Sequence, residues 1–224
     1  MCFSASASFG ASVILSAVGI ASIKKVQSPS QIVFASIPLI FAVQQIMEGF
    51  LWLALSNLDY APLQKFTTYI FLFLAQVVWP FWVPYAVLKL EIKKRRKTVD
   101  YFLVGIGALV SSYLAFCLFS FHIDAKIFGN HILYYQDYPA SISHYLGFLY
   151  IIATIVPPLF SRIRHMWVFG LAVLISYIIS KVFYTDYVVS VWCFFASIIS
   201  ISVLVILYEY NKPPKIISKL SSSE

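Results

Sequence analysis

The chain is a succession of long apolar runs separated by short polar breaks. Seven runs stand out, over roughly 5–23, 32–56, 66–88, 99–121, 142–161, 166–184 and 187–210. Each approaches or exceeds the ~20 residues that a helix needs to cross the hydrocarbon layer. None alternates with the period of two that a lipid-facing strand shows, which argues against a closed barrel. A backbone in lipid has to satisfy its own hydrogen bonds, so helices are the remaining solution. The pattern therefore predicts an all-α polytopic membrane protein, a bundle of seven transmembrane helices. They form one domain over 1–211, followed by a short polar tail over 212–224. The longest break, His122–Ser141, reads as a loop. Its Tyr134, Tyr135 and Tyr138 are expected to form an aromatic belt or a lid.

Composition agrees with this reading. The 224 residues are 61% hydrophobic and 11% charged, against roughly a quarter charged in globular domains, so no separate soluble domain is expected. The net charge of +7 is spread unevenly. Of the 16 basic residues, 13 follow spans 1, 3, 5 and 7: Lys24, Lys25, Lys89, Lys93, Lys94, Arg95, Arg96, Lys97, Arg162, Arg164, Lys212, Lys215 and Lys219. Basic loops stay cytoplasmic. The N-terminus is then expected outside, the C-terminus inside and the basic loops against anionic lipid headgroups. Nucleic-acid binding is not expected.

The chain opens MCFSASASF. A secretory signal needs a positive charge before its apolar core, and none precedes Phe3. The opening is thus expected to be a retained first helix, with Ser4, Ser6 or Ser8 capping its start. Its small residues, among them Ala7, Ser8, Ala11 and Ser12, suit close helix approach.

MCFSASASF, together with IPLIFAVQQIMEGFLWLAL in span 2, resembles an uncharacterised family of prokaryotic seven-helix membrane proteins. The resemblance implies that fold and a prokaryotic cytoplasmic (inner) membrane location. It points to Cys2, Gln44, Gln45, Glu48 and Trp52, and it implies no activity.

Ionisable side chains within the hydrocarbon are functional candidates by default. At about 100° per residue, Gln44, Gln45, Glu48 and Trp52 fall in one arc of span 2, with Glu48 about 12 Å below its outer end at about 1.5 Å per residue. Span 6 offers a second stripe of Ser176, Tyr177, Ser180, Lys181 and Tyr184. In span 3, Gln76 shares a face with Pro80, and Trp79 and Trp82 lie beside that expected kink. The expected outer half also collects Cys2, Cys117, Cys193, His122, His131, His144 and Asp186. Structural readings compete with functional ones. Glu48 and Lys181 fit a buried ion pair, or Glu48 a hydrogen bond to Gln44 or a serine. Cys117 and Cys193 fit apolar core positions, with a disulfide to each other or to Cys2 as the alternative.

Three functions remain open at this point. The first is small-solute or proton-coupled transport through Gln44, Gln45, Glu48, Trp52, Gln76, Trp79, Tyr177, Lys181 and Tyr184. The second is a membrane enzyme at the outer leaflet, Cys2-based or with zinc or copper held by Cys2, Glu48 and His144. The third is a receptor for a small ligand. A retinal pigment is not expected, because the transmembrane stretch of the last span carries no lysine. Phosphate-binding loops, HExxH and CxxC motifs are absent.

Overall fold

The computed structural model describes residues 4–91 and 97–212, apart from the side chains of residues 97 and 140–144. Among the described residues there are seven helical spans in up-and-down order. Helix α1 covers Ala5–Lys24. Helix α2 covers Ile37–Ser56 and is entered through the short turns Pro29–Gln31 and Ile32–Ala35. The third span, α3, covers Leu58–Leu90. Helix α4 is Lys97–Ser120, α5 is Ala140–Phe160 and α6 is Met166–Phe183. The last, α7, covers Thr185–Tyr210 and is interrupted between Ile199 and Ser202. Six of these spans are long and apolar enough to cross a membrane, and Tyr145–Phe160 within α5 is a shorter apolar helix.

The surface agrees with the composition. Large apolar side chains point outward along the helices, among them Val13, Phe102, Phe116, Phe148, Phe160 and Phe183. Contiguous apolar surface on this scale is unfavourable in water and ordinary in lipid. The chain is a multi-pass membrane protein. Without a hydrophobic force between helices in lipid, close packing has to hold them. At Gly49, an added Cβ would stand 2.8 Å from the Phe9 ring, and at Gly107 it would stand 2.0 Å from the Pro80 carbonyl oxygen. These two glycines set the spacing of α1 on α2 and of α4 on α3. Among the three serines expected to cap α1, Ser4 does so, accepting the Ala7 N–H at 3.2 Å. Ser8 is buried in the bundle instead, as is Ser12 one turn further on.

The α3 span is the irregular one. It runs from the turn Leu58–Leu63 through α-helix Gln64–Leu72, a π-helical stretch Phe73–Val78 and α-helix Trp79–Leu90. Pro80 cannot donate to the carbonyl one turn earlier, so the ladder has to be broken near that point. A π-turn takes up the irregularity. The hydroxyl of Tyr150 on α5 donates to the Ala75 carbonyl inside this stretch, at 2.5 Å.

The segment expected as a loop holds a β-hairpin, β1 Ile123–Phe128 against β2 His131–Gln136. The strands are antiparallel, with Phe128 opposite His131. Gly129 and Asn130 form the two-residue connection, with Gly129 at φ +60°, as such turns require. Ala125 and Ile132 are buried against Leu51 and Trp52 of α2, and the Tyr134 ring stacks on Phe71 of α3 with centroids 5.1 Å apart. The hairpin therefore closes one end of the bundle, and Tyr134 belongs to its packing. The opposite end carries the basic segments. There Gln31 and the Lys25 carbonyl are tied to Asn211, and the Glu91 carboxylate accepts the Ser161 hydroxyl and the Arg162 N–H.

Candidate functional site

Beneath the hairpin, α2 turns one face inward. Gln44, Gln45 and Glu48 are fully buried, and Trp52 is nearly so. Helical periodicity places them together, as the sequence implies. Glu48 Oε2 accepts the Gln45 side-chain N–H at 3.1 Å. Glu48 Oε1 accepts the Ser190 hydroxyl, from α7, at 2.5 Å. One carboxylate thus links two helices. One turn towards the basic end, the Trp79 indole N–H donates to Gln44 Oε1 at 2.9 Å, while the Trp79 ring stacks on Phe41 at 3.9 Å. Gln44, Glu48 and Trp79 therefore join α2, α3 and α7 through polar contacts in an apolar interior. Two buried polar atoms on this face lack a hydrogen-bond partner among the described residues, Gln45 Oε1 and Trp52 Nε1, while the Gln44 side chain faces the Cys193 thiol. Unpaired buried polar groups carry a desolvation cost.

The expected Glu48–Lys181 pair is not formed. Lys181 is exposed in the last turn of α6. Helix α6 packs on α5 and α7, and α7 offers Ser190 to Glu48 instead. The rest of the span 6 stripe also separates. Ser176 and Ser180 bond back to carbonyls of their own helix. Tyr177 packs edge-on against Trp192, and Tyr184 packs against His131 of the hairpin.

A second polar group closes the space between α3 and the hairpin. The Gln76 side chain donates to Gln136 Oε1 at 3.0 Å, and the Tyr138 hydroxyl donates to Gln76 Oε1 at 3.1 Å. Burial pushes the Tyr138 phenol above its ordinary range, so it stays protonated and keeps its donor. Behind this group lies a cavity of about 250 Å³, reaching Tyr150, Tyr177, Trp192 and Cys193. Cys193 is one turn beyond Ser190 on α7, so this cysteine stands between the cavity and the Glu48 contact. Cys193 and Cys117 are both buried and free; the disulfide alternative between them is not realised.

A family model matches residues 1–218 of the chain. The chain belongs to DUF6629, a family of unknown function. No curated protein and no solved structure matches it. Family membership covers nearly the whole chain, so it embraces both the α2 face and the cavity, and it assigns an activity to neither.

Two of the residues proposed for a metal or a nucleophile lie beyond reach. Cys2 and the side chain of His144 are outside the described residues. Among the described residues no group of three or more His, Cys, Asp or Glu side chains is placed to hold a metal ion. Sequence reasoning also missed residues. Ser190 sits in an apolar run with nothing to single it out, and Gln136 and Tyr150 belong to no polar stripe that the sequence displays. Only the Gly-Asn connection between two alternating stretches could have been read in advance, as a hairpin that brings Gln136 and Tyr138 onto the bundle.

Proposed function

We propose that this protein carries a small solute across the membrane, with Glu48 taking up and releasing a proton during the cycle. The observation that supports this reading is the Glu48 carboxylate shared between Gln45 on its own helix and Ser190 on α7. Protonation changes which atoms of a carboxyl group accept and which donate, so it alters the joint between the two helices. Intramembrane carboxylates facing a bundle interior commonly mark proton and ion pathways. The π-helical interruption of α3 beside them is an irregular element of the kind often found at functional sites. The metal or Cys2 enzyme reading depends on Cys2 and the side chain of His144, which lie outside the described residues.

The proposed orientation has the hairpin end outside and the basic end cytoplasmic, in a prokaryotic cytoplasmic membrane with anionic headgroups against the basic loops. The gathering of the basic segments at one end supports it. A cysteine introduced by Asn130→Cys on the hairpin tip should react with a membrane-impermeant maleimide added to intact cells. Reaction only after the cells are broken would reverse the orientation.

Transport is tested in proteoliposomes loaded with a pH-sensitive dye and exposed to a panel of small neutral and cationic solutes. At least one solute should move protons through the wild type and none through Glu48→Gln. Equal proton movement in the variant, or none with any solute, would refute the reading.

A further inference from the structure

At the hairpin end of the bundle, a second cavity of about 320 Å³ lies between the start of α3 and the strand β1. Gln64, Lys65 and Tyr69 line it from α3, and His122 and Asp124 line the opposite wall. Lys65 and Tyr69 are four residues apart and so share a helix face. The two walls are tied together. The Gln64 side chain donates to Asp124 Oδ1 and to the Ala125 carbonyl, both at 3.2 Å. Beyond the second strand, the Asp137 N–H donates to the His122 carbonyl at 3.2 Å. The cavity is therefore built into the joint between α3 and the hairpin. An apolar cavity of about 150 Å³ takes benzene, so this one has room for a small phosphate ester.

Its charges are of both signs. Among the described residues no carboxylate pairs with Lys65, whose ammonium stands 6.0 Å from the centre of the Tyr69 ring. His122 is exposed, and an imidazole has an N–H to donate whether neutral or charged. These two groups suit an anion. Asp124 supplies the opposite sign. Its Oδ1 serves Gln64 and the Ala125 N–H, while its Oδ2 has only the Lys126 ammonium at 3.6 Å, from a side chain that is 65% exposed. An exposed pair of this kind is weak, so Oδ2 is open to a second cation. A ligand that complements both walls carries a negative and a positive group a few bonds apart.

Position narrows the source. Helix α4 ends at Ser120, and the α-helical part of α3 begins at Gln64. The cavity thus stands where the membrane spans end, at the level of the lipid headgroups. Beside it the surface turns apolar and outward: Phe66 and Phe119 are 60% and 69% exposed. Tyr69 continues the cavity wall onto Phe119, with ring centroids 6.4 Å apart. Basic pockets beside membrane spans take lipid headgroups, and the apolar surface next to this one gives acyl chains a track. We infer that the cavity binds one phospholipid of the ethanolamine type, its phosphate taken by Lys65 and His122, its ammonium by Asp124, and its chains lying along Phe66 and Phe119. The site is separate from Glu48 and does not depend on the transport reading.

Native mass spectrometry of the full chain, released from detergent, counts bound lipids directly. The protein is titrated separately with dioleoyl phosphatidylethanolamine, dioleoyl phosphatidylglycerol and dioleoylglycerol, which share their chains and differ in headgroup. Lys65→Gln should weaken retention of the first phosphatidylethanolamine about fivefold, the upper value for one exposed ion pair. Asp124→Asn keeps an acceptor for Gln64 and Ala125 and removes only the charge. It should weaken phosphatidylethanolamine by about as much and leave phosphatidylglycerol, which has no ammonium, unchanged. Neither substitution should alter dioleoylglycerol, and free phosphoethanolamine at equal concentration should not displace the lipid. Retention of phosphatidylethanolamine at the wild-type level in either variant would overturn the inference. So would a loss shared by phosphatidylglycerol in Asp124→Asn or by dioleoylglycerol in either variant. Displacement by free phosphoethanolamine would also overturn it, because the ligand would then be a water-soluble one.

Discussion

Glu48 illustrates what a helical sequence can and cannot reveal about its own interior. Its neighbours Gln44, Gln45 and Trp52 were legible beside it, because positions three and four apart share a face whatever the tertiary fold. A serine was one of the partners its sequence allowed, but which serine was not legible. Lys181 was the electrostatic choice from sequence, yet α7 carries Ser190 to the carboxylate at 2.5 Å while Lys181 stays exposed. An ammonium on a long stem can reach the water interface more cheaply than it can be buried. Local periodicity does not say which helix stands opposite. Removing the hydroxyl with Ser190→Ala takes a donor from a buried carboxylate and should cost about 1–3 kcal/mol. Glu48→Gln keeps an acceptor for Ser190 and should cost less. Thermal melts of the two variants in the same detergent check the order, and a melt of Ser190→Ala unchanged from wild type would remove the link from the account.

At the scale of elements, the long apolar runs announced helices, whereas the short irregular features depended on details of backbone chemistry. The α3 interruption was foreshadowed by Pro80, but its form as a π-helical stretch depends on how Tyr150 and the surrounding helices receive the displaced carbonyls. The hairpin reads as a loop in the sequence because its two strands are only six residues each and its Tyr134, Tyr135 and Tyr138 also suit an interfacial belt. Its cap has a pH dependence of its own. His131 packs against Tyr184 and Tyr187, and burial holds its imidazole below the usual histidine range. The folded state then binds fewer protons than the unfolded state below the ordinary pKa of about 6.5. Stability is consequently full above that value and is lost as the pH falls from it towards the lowered one. Between about pH 7.5 and about pH 5.5 the wild type should lose more thermal stability than His131→Phe, whose ring cannot be protonated. Parallel losses in the two proteins would show that His131 contributes nothing to the dependence.

For the molecule as a whole, hydropathy was enough to identify the membrane class and the seven helical spans, since the bilayer imposes length and composition on every one of them. It could not show that the bundle is closed at one end by a hairpin, or that α7 rather than α6 brings a polar side chain to Glu48. Those depend on long-range packing between small residues and on which polar atoms find one another. The result is a bundle with two inward features side by side, a polar α2 face at Glu48 and an apolar cavity at Trp192, with Cys193 between them. The reading of the protein as a proton-coupled carrier depends on the first. Infrared difference spectroscopy of the protein in lipid films, stepped between neutral and acidic buffer, follows the carboxyl groups directly. The account expects a protonated-carboxyl band that grows on acidification, shifts in frequency in Ser190→Ala and is missing in Glu48→Gln. A difference spectrum in the carboxyl region that is the same for wild type and Glu48→Gln would contradict it.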